Sequence, residues 1–234
     1  EDFIIGFADI FWAMVTAAKS MTTIAIATGL AGIIVGSISL TGVGQVLSEV
    51  VENLAGNNIV LILFLTAIMS LILGMGLPTT ANYIVCSTII APALIGMNVL
   101  PLAAHLFVFY FGIMADLTPP VCLAAFTGAG IAGANPAKTG INATRIALPS
   151  YILPYCFVYN TMILMQGVVF YELAIIVVSA MLGVISLAGA FEGWMNRDLK
   201  KIERILFFIF AFLAIHPHIM LSIVATIILL LLFV

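Results

Sequence analysis

The sequence predicts an all-α integral membrane protein that contains a re-entrant hairpin. Of its 234 residues, 64% are hydrophobic and 7% are charged, whereas soluble proteins carry about 25% charged residues. The apolar runs are long and do not alternate with polar residues, which favours membrane helices over a β-barrel. A polar stretch rich in glycine, proline and threonine, residues 74–82, lies between two of these runs. The net charge of −3 is spread over loops and gives no indication of nucleic-acid binding.

The first region, 1–57, is predicted to be an amphipathic entry segment followed by a first scaffold span. The apolar residues near the N-terminus can share one face of a helix. Residues 21–44 then form an apolar run long enough to cross a bilayer. The chain begins at Glu1 without a methionine or a signal-peptide pattern, so we interpret it as a segment of a longer polypeptide.

The second region, 58–97, is predicted to be a re-entrant hairpin that enters from the outward side. Its arms, 58–73 and 83–97, are each somewhat short, since a full crossing takes about 20 residues. Irregular backbone exposed to lipid would leave N–H and C=O groups without partners. The polar tip between the arms is therefore expected to lie within protein or to line a cavity.

The third region, 98–147, is predicted to hold a broken helix and a cytoplasmic loop. Consecutive prolines remove two backbone donors and interrupt the apolar span at 115–120. A second half-helix is predicted over 121–131. Asp116 lies within the interruption, and a carboxylate inside a membrane is a functional candidate by default. The alternative role for Asp116 is to cap the half-helix that follows.

The fourth region, 148–234, is predicted to form C-terminal transmembrane helices. Spans are expected at about 148–166, with a kink at Pro149 and Pro154, and at 168–190. Two short helices are expected within 205–234. When the lysine- and arginine-containing loops are placed in the cytoplasm, the hairpin enters from outside.

The hairpin tip and the helix break are predicted to form one binding site. Each ends one helix and begins another, and discontinuous helices at the membrane midplane are a recurring device of secondary transporters. Helix N-termini present free N–H groups to anions. The residues predicted to contact the substrate are Pro78, Thr79, Thr80 and Asn82.

The same two elements are predicted to hold a coupling cation. Helix C-termini present free carbonyls, and ligands that are all oxygen suit a hard cation such as Na⁺. No cofactor other than this coupling ion is expected. The candidate cation-binding residues are Gly74, Gly76, Ala115, Asp116 and Thr118.

Three stretches of the sequence, 74–82, 112–122 and 128–136, together resemble a known transporter family. The combination of a Thr-Pro-Pro break with a polar hairpin tip is more specific than either feature alone. The chain resembles the large membrane (M) subunit of TRAP transporters, and within them the fused permease of the TAXI branch. The similarity runs over nearly the whole chain and is densest between residues 70 and 160.

The resemblance implies a multi-pass, elevator-type secondary transporter of the ion-transporter superfamily, located in a bacterial or archaeal inner membrane. It implies uptake of an organic acid coupled to Na⁺ or, in some TAXI members, to H⁺. A TAXI-type periplasmic binding protein would deliver the substrate. Because the fold needs two inverted repeats and this chain has one hairpin, the chain is expected to be the second repeat. Its expected partners are the N-terminal half, a small membrane subunit or its fused equivalent, and the lipid bilayer.

Two other function classes remain open. An ion channel or a proton-conducting subunit would need ionisable residues across the membrane, but Asp116 and His105 are about three helical turns apart. An intramembrane enzyme would need a Ser/His pair, an HExxH motif or paired aspartates, none of which is present. We therefore predict that the protein is not an enzyme.

Overall fold

The structure is a computed structural model that describes residues 2–56, 58–216 and 218–233. Helices and turns make up that part of the chain, in which no strand occurs, so the predicted all-helical fold is confirmed. The two ends of the predicted first region, Glu1 and Asn57, lie outside the described residues.

The N-terminal region forms two helices. Helix α1 (Asp2–Thr41) is continuous through both the predicted entry segment and the predicted first span. Helix α2 (Val43–Ala55) follows after Gly42, which has a positive φ of 70°. Helix α2 lies beyond the predicted first span, which ends at residue 44. Val51 and Ala55 lie one helical turn apart and are buried, which gives α2 a core-facing side.

The hairpin region forms three helices on either side of a turn: α3 (Ile59–Gly74), α4 (Thr79–Ile89) and α5 (Ala91–Gly96). The side chain of Asn58 caps α3 by accepting hydrogen bonds from the N–H groups of Val60 at 3.0 Å and Leu61 at 3.2 Å. The irregular turn spans 75–78 and is shorter than the predicted tip at 74–82, because residues 79–82 belong to α4. The second arm, predicted as one run, is divided into α4 and α5.

The predicted break also occurs. Helix α6 (Pro101–Met114) ends before the consecutive prolines, and α7 (Leu123–Ala132) begins after them. The expected loop at 132–147 instead contains α8 (Pro136–Ala147). Its start has recognisable signals, because Asn135 accepts a hydrogen bond from the N–H of Lys138 at 3.1 Å and a proline occupies the first turn.

A single span over 148–166 does not form. Pro149 and Pro154 both lie in this segment, and each lacks the N–H that a continuous helix would use. The segment is a series of short pieces: the 3-10 helix Leu148–Ile152, α9 (Leu153–Tyr159) and the 3-10 helix Thr161–Leu164.

The last three helices are α10 (Phe170–Glu192), α11 (Lys201–Ala214) and α12 (Ile219–Phe233). Helices α11 and α12 are the two short helices predicted for the C-terminus. Within the described ranges, α10 is the helix whose length and apolar composition suffice to cross a membrane, and several apolar helices are shorter. Those shorter helices are Ile59–Gly74, Pro101–Met114, Leu123–Ala132 and Ile219–Leu232.

Among the residues that the structure describes, the buried hydrophobic side chains form two clusters. The larger one surrounds the hairpin and α6, with Leu63, Leu94 and Phe107 fully buried. The smaller one joins α10, α11 and α12 around Phe207 and Leu229. The tip of the hairpin and the break both lie against the larger cluster.

The start of α11 is held by an exposed ion pair whose strength depends on pH. Glu203 accepts hydrogen bonds from the Arg197 guanidinium at 2.9 and 3.0 Å and from the Lys200 N–H at 2.8 Å. The hydrogen bonds from Arg197, followed by that from Lys200, lower the pKa of Glu203 below its usual value of 4.5. Because the folded-state pKa is lowered, the stabilisation is present above pH 4.5 and is lost as the pH falls through the lowered pKa.

We therefore expect Glu203→Gln to lower the melting temperature slightly at pH 7, since exposed ion pairs contribute little. The difference from wild type should disappear as the pH is lowered below 4.5. Thermal unfolding in detergent from pH 3 to 8 would measure it, with Glu49→Gln on the exposed face of α2 as the matched control. A difference that grew on acidification would contradict this account.

Candidate functional site

The tip of the hairpin is a tight turn between α3 and α4. Gly76 adopts a positive φ of 79°, which suits glycine. Pro78 precedes the first turn of α4, where its fixed φ is compatible with helix initiation. Thr79 and Thr80 form that first turn and are exposed. The turn thus presents hydroxyl groups and free N–H groups at the start of α4.

Asn82, in the next turn of α4, connects the tip to the half-helix α6. Its side-chain amide donates to the carbonyl oxygen of Gly112 at 2.7 Å and also lies 3.4 Å from that of Gly74. Its Oδ1 accepts a hydrogen bond from the thiol of Cys86 at 3.1 Å. Asn82 is 1% exposed, so these contacts take the place of the hydrogen bonds that its side chain would make with water. We call Gly74, Asn82 and Gly112 the joint.

The two glycines of the joint are needed for close approach. A Cβ placed on Gly74 would lie 2.7 Å from Asn82 Nδ2 and 2.8 Å from the Gly112 carbonyl oxygen. A Cβ on Gly112 would lie 2.8 Å from Asn82 Oδ1. All three distances are well below van der Waals contact. Any larger residue at either position would therefore separate the tip from α6.

The helix break begins next to the joint. Ala115 is buried, and its Cβ would lie 3.1 Å from a Cβ on Gly74. Asp116 follows, and its Oδ1 is inaccessible to solvent and has no hydrogen-bond partner among the described residues. A buried carboxylate oxygen without a partner is energetically costly, and a bound cation or a proton would relieve that cost.

The remaining break residues are held by the chain that follows. Thr118 Oγ1 donates to the carbonyl oxygen of Met114 and lies 3.1 Å from the hydroxyl of Tyr151. Thr144 Oγ1, on α8, lies 2.9 Å from the carbonyl oxygen of Leu117. The conformation of the break therefore depends on side chains about 30 residues further along the chain.

Among the predicted cation-binding residues, Gly74 and Ala115 are brought into contact, and Asp116 and Thr118 follow directly in the break. Gly76 lies on the exposed part of the tip. Of the predicted substrate-binding residues, Thr79 and Thr80 are exposed, whereas Asn82 is buried in the joint. The contacts of Asn82 give it a structural role, and its assignment to substrate binding stays a prediction.

Two polar features of this region were not singled out in the sequence. Gly112 is the backbone acceptor of the joint, and a glycine close to the end of an interrupted apolar helix is the signal that could have identified it. Ser70 is fully buried one turn before Gly74, and its Oγ has no hydrogen-bond partner within the described residues. Nothing in a single sequence distinguishes Ser70 from the other small residues of α3.

The donor set limits the cations that could bind. In the described part of the chain, no three His, Cys, Asp or Glu side chains lie close enough to hold a metal ion together. A cation at the break would therefore be ligated by Asp116, hydroxyl groups and backbone carbonyl oxygens. This set suits a hard monovalent cation better than a transition metal.

Comparison with known proteins gives one match. The family model described as "Tripartite ATP-independent periplasmic transporter, DctM component" matches residues 4–172, which is well over half of the chain. No curated protein and no solved structure matches. The matched range includes the whole hairpin, the break and Tyr151. The chain therefore belongs to the DctM family, the large membrane component of the TRAP transporters.

Proposed function

We propose that the chain is part of a permease that takes up an organic acid by cation-coupled secondary transport with an elevator mechanism. Membership of the DctM family supports a permease role. The observation that carries the proposal is the joint, because the 2.7 Å hydrogen bond from Asn82 to Gly112 joins two discontinuous elements. Paired discontinuous elements are how secondary transporters build their sites.

The coupling cation is assigned to the break and the adjacent end of α3. Asp116 supplies a carboxylate oxygen, and Thr118 supplies a hydroxyl oxygen. Carbonyl groups near Gly74, Gly76 and Ala115 would complete the coordination. The unpartnered Oδ1 of Asp116 is the observation that supports this assignment. Na⁺ fits the oxygen donors, and H⁺ is the alternative because a carboxyl can carry a proton.

The substrate is assigned to the outer face of the tip. Thr79 and Thr80 offer exposed hydroxyls beside the free N–H groups that begin α4, and Pro78 shapes the turn. Such groups suit a carboxylate. Asn82 is buried in the same helix and holds the tip against α6 through the joint. Replacing Asn82 would therefore affect substrate binding even if its side chain does not contact the substrate.

The remaining parts of the transporter are expected from family membership. A periplasmic binding protein and a small membrane subunit normally work with this component. We assign the chain to the TAXI branch with a fused small subunit, on the resemblance of its hairpin and break. We also propose that it forms the second inverted repeat. The N-terminal half would then supply the other hairpin of a multi-pass protein in a bacterial or archaeal inner membrane.

Uptake into proteoliposomes that contain the complete permease and its binding protein tests the site. The double variant Asp116→Asn/Thr118→Ala should lower uptake by about 100-fold, because the lost ion ligands are worth about 3 kcal/mol. The control is Glu49→Gln/Thr127→Ala, which makes the same kinds of change at exposed positions. Full uptake by the first variant would overturn the site assignment. Ion conductance without binding protein would instead favour a channel.

A further inference from the structure

Tyr151 makes a contact with the break that the proposed function does not use. Its hydroxyl lies 3.1 Å from Thr118 Oγ1. Thr118 has one hydroxyl hydrogen, which it donates to the Met114 carbonyl oxygen. The hydrogen between the two hydroxyls must therefore come from Tyr151. One lone pair of Thr118 Oγ1 is then occupied, and the remaining lone pair has a fixed direction.

The ring of Tyr151 is held in place independently of its hydroxyl. It lies in the 3-10 helix Leu148–Ile152, between two prolines in the sequence. It packs against the ring of Phe111 on α6, with centroids 5.9 Å apart. Removing only the hydroxyl would therefore leave the ring in position and remove one of the two hydrogen bonds that orient Thr118 Oγ1.

The segment that carries Tyr151 is itself tied to the C-terminal helices. On α8, Thr144 contacts the break, and the next residue, Arg145, forms an ion pair with Glu192 at 3.3 Å. Glu192 is the last residue of α10. Helix α8 and the following 3-10 helix thus support the break. The ion pair between Arg145 and Glu192 anchors this support to the long apolar helix α10.

We propose that Tyr151 is a positioning residue for the coupling cation: its hydroxyl aims the free lone pair of Thr118 Oγ1 at the ion. The proposal rests on the proposed cation site at the break. It assigns Tyr151 no contact with the organic acid. Loss of the hydroxyl should therefore weaken the response to Na⁺.

The test compares Tyr151→Phe with Tyr155→Phe in the complete permease in nanodiscs. Tyr155 lies one turn further on, lines the same apolar groove of about 840 Å³, and packs on Phe107 and Phe111. It therefore matches Tyr151 in residue type and surroundings. NaCl is titrated against choline chloride at constant ionic strength, and hydrogen exchange of the backbone over residues 112–124 is measured by mass spectrometry.

Wild type should show slower hydrogen exchange as the Na⁺ concentration rises. Tyr151→Phe should raise the half-saturating Na⁺ concentration about fivefold, which is the factor expected for the loss of one hydrogen bond. Tyr155→Phe should match wild type. In a Thr118→Ala background, Tyr151→Phe should cause no further shift, because the two residues act as a unit. The proposal would be overturned if Tyr151→Phe and wild type had equal midpoints in the Na⁺ titration, or if the effects of Tyr151→Phe and Thr118→Ala were additive. Neither result would overturn the cation site itself. No response to Na⁺ in wild type would overturn both this proposal and the assignment of the break to Na⁺.

Discussion

Gly74→Ala is expected to abolish uptake although it adds a single methyl group. The new Cβ would lie 2.7 Å from Asn82 Nδ2 and 2.8 Å from the carbonyl oxygen of Gly112. The second atom belongs to the backbone of α6 and cannot rotate away, so the tip and the half-helix must separate. Overpacking of this kind costs about 3 kcal/mol, which corresponds to about 100-fold in the population of the joined state.

The measurement for Gly74→Ala is uptake in proteoliposomes together with thermal unfolding of the purified permease. Gly128→Ala is the matched control, because Gly128 is a helical glycine of α7 with open space where its Cβ would lie. The control should keep its activity and unfold at the same temperature or slightly higher, since alanine favours helix. Normal uptake by Gly74→Ala would show that transport does not require the joint.

In the proposed elevator mechanism, the joint would make the tip and α6 move together. Phe107 and Phe111, on the same half-helix as Gly112, belong to the buried cluster that also includes α3 and α4. Separating the tip from α6 would expose this cluster and break the Asn82 hydrogen bonds at the same time. A movement of the hairpin and break as one unit preserves both, and this is the type of motion that an elevator mechanism requires.

The locations of the tip and the break were predictable because glycine, proline and polar residues interrupt apolar runs there. Their mutual contact was not. Asn82 and Gly112 are 30 residues apart, and no local rule states that the amide of one faces the carbonyl of the other. The contact between Thr118 and Tyr151 spans 33 residues and escaped prediction for the same reason.

Local signals were also present that a reading for apolar runs alone does not use. The start of α8 has an asparagine cap followed by proline, yet this segment was predicted to be a loop. Conversely, the apolar composition of 148–166 predicted one span kinked at Pro149 and Pro154, whereas these prolines divide it into short helices. Backbone hydrogen-bonding capacity outweighs hydrophobicity in both cases.

Asn82→Asp distinguishes a joint residue from a substrate ligand. The substitution keeps the shape of the side chain but replaces the donor that faces the Gly112 carbonyl, at 2.7 Å, with an acceptor. Two acceptors then face each other in a site that is 1% exposed, where water cannot intervene. The expected destabilisation is about 3 kcal/mol, since a buried polar contact is lost and a charge is left without a partner.

If Asn82 mainly forms the joint, Asn82→Asp should unfold at a lower temperature than wild type even when no substrate is present. Acidification should reduce this difference, because a protonated carboxyl regains a donor for the Gly112 carbonyl. Asn142→Asp is the control, since Asn142 is exposed on α8 and its replacement should leave both stability and uptake unchanged. A residue that only contacted substrate would give the opposite pattern: wild-type stability with a raised KM. The two outcomes therefore separate the role seen in the structure from the role predicted by the sequence.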